Sequence, residues 1–303
     1  MKTVKHLRYS FCNINIHIVA DSETALVEPT RFEPYATSAS IEPDVSITCR
    51  SGLDPILLNN ATKQCTATYN DYTLWEIYSR ETSLYIVTYD QLDSHEMNQL
   101  AVTEFPYTNW IIYSRSDSES YNGVRVVEPL KFPLCSLFLY HQTLREEALL
   151  IHASGVFDGH TGRLFTGRSG VGKSTMARLW SEHGNAWVVN DDRLYLRKVN
   201  DQWIMFNTPM MYPQTPLNAP LNHIYLLNQA LEFDTTPYIS PVAVGKVFGN
   251  CILQTYNRHH VDHHFKVIES LIQSVSVNLL SSRANPEILE GVRTFESTVT
   301  LHG

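Results

Sequence analysis

Charge is sparse in this chain, and long apolar runs are missing. Only 18% of the 303 residues are charged, the net charge is −8, and hydrophobic residues make up 43%. An acidic balance argues against nucleic acid and anionic membrane as partners, because neither attracts a negative surface. No apolar run approaches the roughly twenty residues of a membrane-spanning helix. Nor does an uninterrupted apolar segment follow Lys2, Lys5 and Arg8, so no signal peptide is expected. Cysteine is scarce as well: Cys12, Cys49, Cys65, Cys135 and Cys251 are odd in number, widely spaced and without a C-x-x-C pair. They read as reduced thiols, mostly core filler, in a cytoplasmic protein. What remains is a globular chain long enough for one large domain or two ordinary ones.

One stretch carries a chemical pattern. Gly167, Arg168, Ser169, Gly170, Val171, Gly172, Lys173, Ser174 and Thr175 match the phosphate-binding sequence G-x-x-x-x-G-K-[ST] at every fixed position. The pattern needs a strand before it and a helix after it. Leu164, Phe165 and Thr166 supply a short apolar run, and the segment from Met176 to Trp180 continues as a helix closed by Gly184 and Asn185. Glycines let the backbone wrap a phosphate, and the helix start adds free N–H groups and a positive dipole end. Lys173 is expected to reach the outer phosphates and Ser174 to hold Mg2+. Glycine-rich loops also close ordinary strand–helix turns, but this many matches in this context favour binding of a nucleoside triphosphate, taken as ATP. The nucleotide-contacting set is Gly167, Ser169, Gly170, Val171, Gly172, Lys173, Ser174 and Thr175.

The first half carries no such chemistry. Ile14, Ile16 and Ile18 alternate with Asn15 and His17, as in a half-buried strand. Further short runs rich in Thr, Tyr, Ile and Val follow, and Asn70-Asp71 marks a hairpin turn. Its many aromatics suit packing better than a ligand platform. Residues 1–128 are therefore expected to form a small antiparallel β domain, and Pro129 to Pro133 mark the boundary with a second domain, 129–303. That domain begins with a helix whose apolar face includes Leu134, Leu137, Phe138 and His141, the last read as a core or boundary histidine.

About eighteen residues beyond Lys173, the apolar run Trp187-Val188-Val189 leads to Asn190, Asp191, Asp192 and Arg193. Strand ends gather ligands in open α/β sheets. Side chains alternate along a strand, so the two acids are expected to divide their roles. One approaches the magnesium beside Ser174; the other orients the acceptor hydroxyl or takes its proton. A solvated turn is the bland alternative. His152, placed at a strand end before the loop, is a candidate support for the acids or the acceptor.

From His152 to Asp192 the chain resembles the catalytic core of HPr kinase/phosphorylase. That family has a histidine–small–glycine segment, a phosphate loop ending in Lys-Ser, a short helix and a strand closing in Asp-Asp. The resemblance implies an α/β phosphate-loop nucleotide domain of the HPr kinase and phosphoenolpyruvate carboxykinase type, here preceded by a strand-rich N-terminal domain. It extends to HPr-kinase-related proteins, in which arginine follows the acids as Arg193 does, and to Asn207-Thr208-Pro209 and the stretch from Pro220 to Leu227. It assigns the hydroxyl-facing role to Asp192 and the metal-facing role to Asp191. Three features depart from it. Thr175 stands where HPr kinases have glutamate, the downstream Arg-Gly-Leu-Gly-Ile signature has no counterpart, and the first 128 residues match no HPr-kinase N-terminal domain.

In the last third, His259, His260, His263 and His264 pair at i, i+4 and invite a metal reading. Histidines opening a polar helix more often face solvent, and that is the expectation here. The function expected overall is transfer of the γ-phosphoryl group of ATP, with Mg2+, to a hydroxyl on a peptide, protein or small molecule. A nucleotide-binding module or simple NTPase is the alternative, and a decarboxylating carboxykinase rests on fold analogy alone. Self-association is left open.

Overall fold

A computed structural model describes residues 3–38, 40–90, 96–115, 118–119, 124–210 and 217–300. The chain divides into two compact units, Met1–Arg145 with Pro209–Thr215, and Glu146–Thr208 with Pro216–Gly303. Half of the residues in the stretches 114–123 and 207–220 lie outside the described residues.

The first unit is strand-rich. Its main sheet has eight strands in the order His6–Phe11, Ile14–Ala20, Val45–Ser51, Asn109–Ser114, Met97–Glu104, Ser83–Tyr89, Tyr72–Arg80 and Thr62–Tyr69. It is mixed rather than antiparallel. Val45–Ser51 runs parallel to both of its neighbours, which the long connections on either side of it permit. The hairpin at Asn70-Asp71 is present, with both residues in the left-handed region (φ 47° and 67°). Tyr9, Tyr35, Tyr85 and Trp110 are core residues, whereas Tyr69 and Tyr72 flank the hairpin turn and are exposed. The helix Leu134–Thr143 also belongs to this unit. His141 is fully buried in it, its Nδ1 donating to the Leu137 carbonyl at 2.7 Å.

The second unit is α/β. Its first strand, β1 (Ala148–Phe157), is followed by β2 (Gly162–Thr166), α1 (Lys173–His183), β3 (Trp187–Asn190), β4 (Arg193–Val199) and β5 (Gln202–Phe206). Then come β6 (Asn218–Pro220), β7 (His223–Gln229), β8 (Asp234–Pro237), α2 (Ser240–Phe248), α3 (Arg258–Ser274), β9 (Ser276–Ser282) and α4 (Ile288–Thr300). The sheet order is β6-β5-β4-β1-β2-β7-β9-β8, with β3 paired to β1. β2, β7 and β9 are mutually parallel; β1 is antiparallel to β2, β3 and β4.

Both faces of this sheet are covered, and strand alternation divides its core in two. Leu164, Ile224, Leu226 and Val277 pack on one face with Val247 of α2 and Val267, Ile268 and Leu271 of α3. Phe165, Tyr225 and Leu280 pack on the other with Met176, Ala177 and Trp180 of α1 and Val292 of α4. On α3, His260 and His264 continue the apolar stripe of Val267, Ile268 and Leu271 and are buried. The expectation that these histidines face solvent is corrected for this pair. Burial pushes both down to about 4, so they sit in the core as neutral rings.

A buried ion network ties α4 to the sheet. Arg163 of β2, 2% exposed, binds Glu296 through two bonds of 2.7 and 2.6 Å, and Asp158 at 2.7 Å. Tyr225 donates to the same Glu296 at 2.8 Å, and the guanidinium lies 4.0 Å from the Trp180 ring centre. Removing Glu296 strips the buried guanidinium of two of its three carboxylate bonds and leaves Asp158 alone against its charge, a loss of about 3 kcal/mol. Glu296→Ala is therefore expected to lower the thermal unfolding midpoint clearly, whereas the paired change Arg163→Met with Glu296→Leu recovers much of the loss. Calorimetry showing Glu296→Ala at the wild-type midpoint would contradict this account.

Candidate functional site

The loop between β2 and α1 has the backbone its glycines allow. Gly170 and Gly172 lie at φ +74° and +113°, a region that side-chain-bearing residues rarely adopt. No side chain caps the start of α1 at Gly172, so the first-turn N–H groups keep their capacity for an acceptor from outside. Ser169, Gly170 and Ser174 are exposed, Gly167, Gly172 and Thr175 are half-buried, and Val171 is buried. Lys173, 8% exposed, folds back so that Nζ donates to the carbonyls of Gly167 (3.0 Å) and Arg168 (3.3 Å). Burial holds its ammonium below the usual lysine range, against the pull of Asp192 and then Asp191.

The acids are placed by an interruption in a ladder. β3 and β4 both pair antiparallel with β1, and Asp191 and Asp192 form the bend between them. Asn190 builds that bend. Its Oδ1 accepts from the backbone N–H of Asp192 (2.7 Å) and of Arg193 (2.9 Å), an Asx turn. Asn190 is itself held by Asn207, whose Oδ1 accepts from Nδ2 at 2.5 Å and from the Thr208 N–H at 2.8 Å. Thr208 closes the set by donating to the Arg193 carbonyl at 2.8 Å. All three supports are buried. Asn207 and Thr208 thus brace the turn that presents the acids.

Opposite the bend, His152 and Ser154 lie two residues apart on β1 and so share a face. His152 Nδ1 is 3.2 Å from Asp192 Oδ1, and Ser154 Oγ donates to Asp191 Oδ1 at 2.6 Å. Two sequence expectations are corrected. β1 continues to Phe157, so His152 is a mid-strand residue and not a strand end. The acids occupy a bend and engage one face of β1, so strand alternation does not separate them. They are separated by their partners instead. Asp192 has its carboxyl held below the ordinary aspartate value by the His152 hydrogen bond first, then by the Arg193 and Lys173 charges, with burial opposing. Arg193 Nε lies 3.5 Å from Asp192 Oδ2.

Thr166, the last residue of β2, donates to the His152 carbonyl at 2.9 Å, fixing the start of the loop against the strand that carries His152. Among the described residues Ser174 bonds neither acid, and no group of three His, Cys, Asp or Glu side chains is gathered for a metal. The available donors are hard oxygens, one hydroxyl and a pair of carboxylates. That set fits magnesium, which takes one or two carboxylates and completes its shell with water and phosphate oxygens.

A second feature, invisible in the sequence pattern, adjoins the loop. A cleft of about 520 Å³ runs from Gly170, Gly172 and Met176 to Gln229, Leu231 and Arg283.

No helix among the described residues is long and apolar enough to cross a membrane, and no disulfide joins any of the five cysteines. No protein-family model matches this chain, and no curated protein matches it. Among solved structures, the Hpr(Ser) kinase/phosphatase from Coxiella burnetii is similar to it over 51% of this chain and 99% of its own, at 13% identity and a TM-score of 0.30.

Proposed function

We propose that the second unit binds ATP with magnesium and transfers the γ-phosphoryl group to a hydroxyl acceptor, a serine of a peptide or protein being the favoured class. The observation that carries this reading is that one strand, β1, ties the loop to both acids: Thr166, the last residue before the loop, bonds the His152 carbonyl, while His152 and Ser154 of that same strand engage Asp192 and Asp191. A loop built only to close a strand–helix turn has no need of two carboxylates held by the strand it is fixed to.

The chemistry asks for positioning more than for covalent help. The acceptor oxygen forms a bond to the γ-phosphorus as the bond from that phosphorus to the β,γ-bridging oxygen breaks, and ADP leaves. Lys173 and the first-turn N–H groups of α1 stabilise the charge on the phosphates. Ser174 and Asp191 would hold magnesium, which supplies further charge neutralisation. Asp192, oriented by His152, accepts the hydrogen bond of the acceptor hydroxyl and receives its proton as the new P–O bond forms. Its low proton affinity makes orientation its larger contribution. Arg193 beside it restrains the carboxylate.

The test follows a label. Incubating the protein with ATP labelled at the γ-phosphate and with cell extract should place label on an acid-stable, hydroxyl-linked phosphate, identifiable by mass spectrometry. Label released only as inorganic phosphate would favour a simple NTPase.

A further inference from the structure

The main sheet of the first unit has two unlike faces. Alternation turns Ile16, Ile18, Ile47, Trp110 and Ile112 inward, and Trp110 meets Phe138 of the helix Leu134–Thr143. On the opposite face Leu53, Leu57 and Leu58 cover Tyr85, Val87 and Leu100. The strands His6–Phe11, Ile14–Ala20, Val45–Ser51 and Asn109–Ser114 lie side by side beyond that cover. Every side chain they place on this outer face is at least partly exposed.

The charge on the open part has one sign. Register puts Arg8 opposite His17 and Arg50 opposite Tyr113. His6 and His17 stack, with Nδ1 of the first 3.2 Å from Nε2 of the second. Burial first, then the charges of Arg8 and His6, hold His17 below the ordinary histidine value. Arg8 donates to the Ile41 carbonyl at 3.4 Å and Arg50 to the Tyr113 hydroxyl at 3.2 Å, and neither pairs with a carboxylate among the described residues. No aspartate or glutamate stands on the outward positions of these four strands. The flanking acids are engaged, Asp44 by Asn15 at 2.8 and 3.0 Å and Glu104 by Thr82 at 3.1 Å.

We propose that this outer face docks a short acidic segment of a protein partner. In a chain of net charge −8, an acid-free face with two arginines repels itself and is relieved by negative charge. Its size favours a short occupant. Strand spacing and rise put Arg8 and Arg50 about 16 Å apart, the reach of about five extended residues. A longer polyanion such as nucleic acid would run off this patch onto the acidic remainder of the surface. Between the arginines, Ser46 and Thr48 offer hydroxyls to a peptide backbone, and Val19 and Ile111 offer apolar ground for its side chains. Docking here is independent of any nucleotide at the phosphate loop.

Fluorescence anisotropy with a labelled six-residue peptide of alternating glutamate and leucine, and with its glutamine counterpart, tests the face. The wild type is expected to bind the glutamate peptide, more weakly as salt rises, and the glutamine peptide at least about tenfold less tightly. The double variant Arg8→Gln with Arg50→Gln should lose at least about tenfold in affinity for the glutamate peptide. Arg258→Gln with Lys266→Gln removes two exposed cations from α3 of the second unit and should keep the wild-type affinity. Thermal unfolding checks that both variants are folded. Absence of glutamate-peptide binding by the wild type, equal binding of the two peptides, or an equal loss in the α3 variant overturns the proposal. So does tighter binding of a single-stranded oligonucleotide or of anionic vesicles that is lost in the Arg8 and Arg50 variant, because the face then belongs to another class of partner.

Discussion

Asp192→Asn is expected to lower phosphoryl transfer by roughly 10²–10⁴-fold while leaving magnesium–ATP affinity nearly intact. Asparagine keeps the shape and one oxygen but removes the charge that accepts the hydroxyl proton. It also leaves His152 Nδ1, 3.2 Å from the carboxylate, without an anionic partner. Asp191→Asn should behave differently. Its carboxylate is held by Ser154 at 2.6 Å, and in the proposed mechanism it serves the metal. Losing that charge should raise the magnesium requirement and be partly rescued by excess magnesium or by manganese. Steady-state rates measured across magnesium concentrations distinguish the two. His152→Gln provides a control on the first, because a positioning residue should reduce the rate at saturating magnesium and ATP without shifting the metal requirement. If both asparagine variants keep wild-type rates at limiting magnesium, the acids are a solvated turn and the transfer mechanism falls.

These expectations show what was legible before the structure and what was not. The Gly167 to Thr175 pattern is local: its backbone demands, positive φ at Gly170 and Gly172 followed by a helix, can be read from residue type and spacing. Asp191 and Asp192 were also legible, as acids following an apolar strand. Their presentation was not. It depends on Asn190, Asn207 and Thr208 bonding across the sheet, and tertiary pairing of this kind leaves no periodic trace. The same reason explains the place of His152. An apolar run of Leu149 to Ile151 looks like a complete short strand, but pairing with β2 and β3 carries it on to Phe157.

The parallel pairs of the first sheet leave no trace in the sequence for a related cause, since alternation gives the buried face of a strand and says nothing about the direction of its neighbour. His260 and His264, by contrast, were readable in principle. They stand four apart and on the same stripe as Val267, Ile268 and Leu271, a spacing that suits a packed helix face as well as a metal. Arg283 and Leu231 lie more than fifty residues beyond the loop, and only the parallel pairing of β2, β7 and β9 brings them to its side.

The second large effect belongs to Lys173. It is the buried cation of the loop, 8% exposed and held by the carbonyls of Gly167 and Arg168. In the proposed nucleotide complex that ammonium would exchange its carbonyl partners for phosphate oxygens. Alanine removes the charge at the point where it develops on the transferring phosphoryl group, so transfer should be abolished. Ground-state binding should weaken by at least about tenfold, or 1.4 kcal/mol. A charge-preserving Lys173→Arg should recover little, because a branched guanidinium does not fit the space of a buried ammonium.

The most direct measurement is a calorimetric titration of magnesium–ATP into the wild-type protein and into Lys173→Ala. The account predicts saturable binding by the wild type at one site per chain, and an affinity at least about tenfold lower in the variant. Equal affinity in the two proteins, or no binding by the wild type, would contradict it.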